Sequence, residues 1–187
     1  MPSLEEAGAD ERWREVPIGG EIRPELQATI FTDTYAPGTY QQEFDDCVAA
    51  THASMLLFYE AFSGGLGGSD ARRRAEEAAL GLGYLLHVEQ ASLEGRTLTV
   101  RVENRGAAPF YHPLALRLWD GNGVMVEQLL PAVQPAESPV DVELTVADLA
   151  APTSDRPWTL GLYSEHVLPS QTIRFATAPG DGPIRVQ

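Results

Sequence analysis

Few groups in this chain stand where they could move a proton or attack a carbon. Glu21 closes the run Ile18-Gly19-Gly20-Glu21, with Arg23 two residues on. The paired glycines let the backbone turn sharply or approach another element just before a carboxylate. Pro17 and Pro24 on the flanks keep the run extended. Read functionally, Glu21 is a weak candidate for a catalytic carboxylate and, with Arg23, a candidate ligand-binding pair; read structurally, the run is a turn with exposed charges. Hydrolysis of a glycosidic bond needs two carboxylates at a set separation, and no other acid stands in a motif that pairs it with Glu21. Ser164-Glu165-His166 is contiguous, which does not align three side chains in a relay, and no Gly-x-Ser-x-Gly elbow is present. His52 has Leu56 four residues on, so it lacks the partner of a helical metal pair and reads as a hydrogen-bonded structural histidine. Cys47 is the single cysteine, which excludes an internal disulfide, and its apolar surroundings suit a buried thiol better than a nucleophile. Asp120-Gly121-Asn122-Gly123 offers two oxygen ligands without the spaced set and bidentate glutamate of a calcium loop, so it reads as a turn. No metal and no cofactor are expected, and an enzymatic role is left open as the lesser reading.

Binding is the chemistry that the remaining residues suit. Sugars present apolar C–H faces that stack on aromatic rings and hydroxyls that bond to polar side chains, so a few aromatics beside polar groups make a sugar site. Phe110, Tyr111 and His112 stand together after the loop from Asn104 to Pro109, and Trp119 stands beside the 120–123 turn. Trp119 is out of register with Leu114, Leu116 and Leu118, which makes it the better exposed candidate. Trp158 alternates with Leu160 and Leu162 and so belongs to a buried face, with Tyr163 following.

The elements that must carry these residues follow from hydrophobic period. Leu98, Val100 and Val102 alternate with Thr99, Arg101 and Glu103, as a strand with one buried face requires. Asp120-Gly121-Asn122-Gly123 is a strong hairpin signal, with a return strand over 124–130. Val140, Val142, Leu144 and Val146 make another strand, Trp158, Leu160 and Leu162 the next, and residues 172–176 the last. About seven strands at these intervals predict an antiparallel immunoglobulin-like β-sandwich over 83–178. Upstream, apolar spacings of three and four predict one main helix over 39–62, ended by the glycine-dense 63–69 segment, then a second helix over 71–80 with Arg72, Arg73 and Arg74 on its exposed face. The expected organisation is α+β: a flexible lead over 1–16 in which Trp13 could anchor, a helical N-terminal segment over 17–82 packed on the sandwich, and a tail over 179–187.

Composition narrows the partners. The chain has 187 residues, 27 acidic and 13 basic, all of the latter arginine, for a formal charge of −14. That balance repels phosphate backbones and anionic membrane surfaces, so neither nucleic acid nor a membrane is an expected partner. No apolar run approaches the ~20 residues of a membrane span. The opening residues lack a signal peptide's apolar centre, which points to the cytoplasm unless the sequence is part of a secreted precursor.

Three segments together resemble a family: Ile18-Gly19-Gly20-Glu21, then His52-Ala53-Ser54 with Tyr59 downstream, then Leu82-Gly83-Tyr84 leading to Val102-Glu103-Asn104-Arg105-Gly106-Ala107-Ala108-Pro109-Phe110-Tyr111. They look like the bacterial domain of unknown function found at the C-terminal end of glycoside-hydrolase-like (β/α)8-barrel proteins, over roughly residues 17 to 175. The resemblance implies that Glu21 ends a barrel strand, where such enzymes keep their sites, and that the region from Gly83 is the C-terminal sandwich. The bulk of a barrel before Gly19 is not in this sequence. The expectation is therefore a non-catalytic accessory domain of a glycan-processing system, possible partners being a carbohydrate or such a barrel. The alternatives are a structural or protein-interaction domain and a glycoside-hydrolase fragment contributing Glu21.

Overall fold

The computed structural model describes residues 6–36, 38, 43–66, 68–135, 137–168, 170–176 and 184–186. The fold is mixed α+β and divides into two units, Met1–Tyr84 with Gly106–Pro109, and Leu85–Arg105 with Phe110–Gln187.

The first unit opens with a short 3-10 turn, Arg12–Arg14, and continues through β1 (Ile18–Glu21), α1 (Pro24–Gln27), α2 (Phe44–Thr51), β2 (Ala53–Leu57), α3 (Glu60–Ser63) and α4 (Ser69–Ala79). β1 and β2 pair in parallel, Gly19 beside Met55 and Glu21 beside Leu57. Ile22, Leu26, Phe31 and Ala71 form the centre of its core, with Phe44, Leu56 and Phe58 packed around them. Phe31 meets Phe44 and Phe58 at 5.2 and 5.3 Å between centroids, the tilted geometry that ring quadrupoles favour.

The single helix expected over 39–62 is not what forms, although residues 39–42 of that range lie outside the described residues. α2 ends at Thr51, and His52 turns the chain with φ 51° and ψ 46° in the left-handed region. Ala53–Leu57 then runs as a strand against β1. Its residues are good helix formers, but pairing with the Gly-Gly strand and insertion of Leu56 and Phe58 into the core outweigh propensity. Trp13 is buried and stacks on the His52 ring at 3.6 Å and 12°, while His52 Nδ1 lies 2.8 Å from the Ala107 carbonyl oxygen. Those two contacts hold an uncommon backbone geometry in place. Arg74 also departs from the fully exposed face expected of it: its guanidinium bonds the Phe31 carbonyl and pairs with Asp33.

The second unit holds β3 (Leu86–Glu94), β4 (Thr97–Asn104), β5 (Leu114–Trp119), β6 (Met125–Leu130), β7 (Val140–Thr145), β8 (Trp158–Tyr163) and β9 (Ile184–Val186). They form a three-stranded sheet in the order β3-β4-β7 and a four-stranded sheet in the order β6-β5-β8-β9, every strand pair antiparallel. Leu98, Val100, Val102, Val142 and Leu144 are the buried face of the first sheet, and Leu114, Leu116, Leu118, Trp158, Leu160 and Leu162 that of the second. Opposite charges sit across the ladder at Arg101 and Asp141, joined by two bonds of 2.8 and 2.9 Å.

Two strand assignments differ from the sequence reading. Residues 172–176 bury Ile173 and Phe175 alternately but form no ladder, and Ala176 N–H donates to the Leu86 carbonyl. The last described strand is β9, inside the stretch expected to be tail. Burial alternation alone cannot tell a paired strand from an extended segment.

On the other face of the four-stranded sheet, Trp119 is half-buried against Gly161 of β8. A Cβ at Gly161 would lie 3.1 Å from Trp119 Cζ3 and 3.4 Å from Cη2, so the missing side chain makes room for the indole. Gly161→Val is expected to cost about 1–3 kcal/mol by forcing the ring aside. In a Trp119→Ala background the same change should cost far less, and additive losses in urea denaturation of the four proteins would show that the ring and the glycine do not share this space.

Candidate functional site

Phe110, Tyr111 and His112 come together as the sequence places them. The segment runs between two prolines, Pro109 and Pro113, which fix its backbone before β5 begins. With Leu86, Leu130 and Val133 the three residues line a cavity of about 320 Å³ in the second unit. Phe110 and Tyr111 are half-buried and His112 is exposed. The Phe110 and His112 rings meet edge-on at 6.0 Å, and His112 stacks on His166 at 4.7 Å and 20°. No carboxylate or arginine is among the cavity's described lining residues. The chemistry this allows is adsorption of an apolar face with hydrogen bonding from imidazole and phenol, which suits a neutral, hydroxyl-bearing ligand.

One supporting residue escaped the sequence reading. Asn104, read as the start of the loop to Pro109, is buried: its Oδ1 accepts from Leu85 N–H at 2.9 Å and its Nδ2 donates to the Val133 carbonyl at 3.0 Å. It thereby fixes the loop that carries one cavity wall to the strand that carries Leu86. A polar residue ending an otherwise alternating strand in the buried register, after Leu98, Val100 and Val102, was the available signal.

Glu21 and Arg23 belong to the first unit, where they line a different cavity, of about 340 Å³, with Gly19, Gly20, Cys47 and Thr51. Glu21 Oε1 accepts from Gln27 Nε2 at 3.3 Å. Gln27 is itself buried, donating to the Ile22 carbonyl at 2.7 Å and accepting from Glu60 N–H at 3.2 Å. Glu21 is the one carboxylate among the described lining residues, so this cavity does not supply the pair that glycoside hydrolysis requires.

The other groups weighed for chemistry are engaged in structure. Trp158 is buried, with Nε1 donating to the Ala150 carbonyl at 2.7 Å. Tyr163 carries the Arg117 guanidinium over its ring at 3.3 Å. Ser164 is buried, and its hydroxyl accepts from the His166 backbone N–H at 3.4 Å, with Glu165 3.7 Å from His166 Nε2. Asp120 turns both carboxylate oxygens to backbone N–H groups, which leaves the turn no pair of free oxygens for a cation. No three His, Cys, Asp or Glu side chains gather in a metal-binding group among the described residues, and no helix there is long and apolar enough to cross a membrane. Comparison of the chain with protein families, with curated proteins and with solved structures finds no match.

Proposed function

We propose that this chain is a non-catalytic accessory domain of a glycan-processing system, that its second unit is an immunoglobulin-like sandwich, and that it recognises a neutral sugar at the cavity of Phe110, Tyr111 and His112. The sandwich reading is supported by sheets of three and four antiparallel strands, with buried residues alternating along β4, β7 and β8. The observation that carries the sugar reading is the cavity itself: consecutive aromatic and imidazole side chains line a concave, uncharged surface of a size for one or two sugar rings. Trp119, the better exposed candidate on sequence grounds, is secondary because it is half-buried, with its ring against Gly161 of β8. The resemblance to the domain that closes glycoside-hydrolase-like barrels agrees with an accessory role.

A glycan array probed with the purified chain and with Tyr111→Ala, His112→Ala and Trp119→Ala tests this reading. Saturable binding to neutral glycans is expected, weakened roughly tenfold or more by either cavity change, the equivalent of about 1.4 kcal/mol, and little altered by Trp119→Ala. Binding abolished by Trp119→Ala and retained by Tyr111→Ala would move the site to the open sheet face. A folded sample that binds no glycan would leave the domain a structural one.

A further inference from the structure

The two-stranded sheet of the first unit is unfinished in three respects. Parallel sheets are ordinarily covered on both faces, and here only one is: Leu56 and Phe58 enter the core, whereas Met55, Leu57 and Tyr59 are 61%, 52% and 62% exposed. No strand pairs with the outer edge of β1 among the described residues. Ile22 N–H donates to the Leu57 carbonyl, so by the alternation of a strand Gly20 also faces β2, and the N–H and C=O groups of Gly19 and Glu21 point outward. The third respect is the 340 Å³ cavity, lined by Ile18 through Arg23, by Ala53 and Leu56 of β2, and by Phe44, Cys47 and Thr51 of α2.

An added strand would answer all three. Its main chain would bond Gly19 and Glu21, alternate side chains would fill the cavity beneath α2, and the others would extend the Met55 and Leu57 row. A helix has no free main-chain groups to offer the edge, whereas extended peptides bind sheet edges in this way. Gly19 and Gly20 carry no side chains to crowd those of an added strand. Charge selects the source. A second copy would bring another −14 with its own Glu21 and Glu25 against the same pair, while a basic segment would be attracted. We propose that the outer edge of β1 accepts an extended segment of another polypeptide, basic overall and apolar at every second position. This site is separate from the sugar cavity, and its test does not depend on sugar binding.

Panning the full chain against a displayed library of short random peptides is expected to enrich sequences that alternate apolar residues and carry Lys or Arg. Amide hydrogen exchange with a synthesised winner then reads the register. Gly19 and Glu21 exchange freely in the unbound chain and slow roughly tenfold or more when the peptide binds, while Gly20 and Ile22 are slow in both states. Glu21→Pro removes an outward donor and is expected to abolish that binding; should it not fold, the exchange pattern decides. The proposal is overturned by the absence of any enriched peptide, by enrichment of acidic or proline-rich sequences, or by binding that leaves Gly19 and Glu21 unprotected. Protection of these two amides that grows with the concentration of the chain alone would also overturn it, in favour of a second copy.

Discussion

Trp158→Ala is expected to destabilise the second unit by about 3–5 kcal/mol, the largest effect of any single substitution considered for this chain. The indole is 2% exposed on β8, between β5 and β9, and shares its face with Leu160 and Leu162. Its removal leaves a void that neighbouring strands cannot close without breaking ladder bonds. It also strips the Ala150 carbonyl of its donor at 2.7 Å. A loss of this size is a large share of the net stability of an ordinary domain, so the variant should be partly unfolded at physiological temperature. Trp158→Phe separates the two contributions. Phenylalanine restores most of the apolar volume but not the N–H, and should cost about 1–3 kcal/mol for the orphaned carbonyl and the remaining gap. Urea denaturation followed by the β-sheet circular dichroism signal measures both, and a Trp158→Ala loss below about 1 kcal/mol would mean that the ring is not a core residue.

Trp158 also shows what kind of information the sequence held. Its burial was legible because strand alternation is local: the residues two and four positions on are leucines, and a period of two assigns all three to one face. The same logic located β4, β5, β7 and β8. It failed for residues 53–57, where Ala, Ser, Met and Leu carry no strand preference of their own and the pairing partner lies more than thirty residues upstream in Ile18–Glu21. It failed again at 172–176, where alternate burial occurs without a partner strand, and at β9, whose three residues are too short to show a period. The candidate site divides along the same line. Phe110, Tyr111 and His112 could be named because they are adjacent, but that Leu86, Leu130 and Val133 complete the cavity, and that Asn104 holds two of its walls, depends on contacts across the fold. Trp119 was placed in the right register, but that a glycine on the neighbouring strand gives its ring a surface to lie on is something no pattern within β5 reveals.

Asp120 yields the second large effect, and it is visible as a dependence on pH. The residue follows β5 in a buried position, and its carboxylate organises the 121–123 turn: Oδ1 accepts from Asn122 N–H at 2.7 Å and Val124 N–H at 3.1 Å, and Oδ2 from Ala150 N–H at 3.3 Å. Burial by itself pushes the carboxyl pKa up, but the backbone donors at Asn122, Ala150 and Val124, with the Asn122 side chain, together outweigh it and hold the group below the ordinary aspartate value. A carboxyl whose pKa is depressed on folding stabilises the native state at any pH above its unfolded value, near 3.9, and that contribution disappears as the pH falls through the lower folded value. Asp120→Asn keeps one carbonyl acceptor but loses the charge and turns a donor toward N–H groups, so it should lower the melting temperature by several degrees at neutral pH. Asp120→Ala, which strands all three backbone donors, should lower it further. Below the folded pKa the wild-type carboxyl is itself protonated, so the wild-type and Asp120→Asn melting curves should converge as the solution is acidified. A gap between them that stayed constant from neutral to strongly acid pH would assign the role of Asp120 to shape alone and remove charge from the account of this turn.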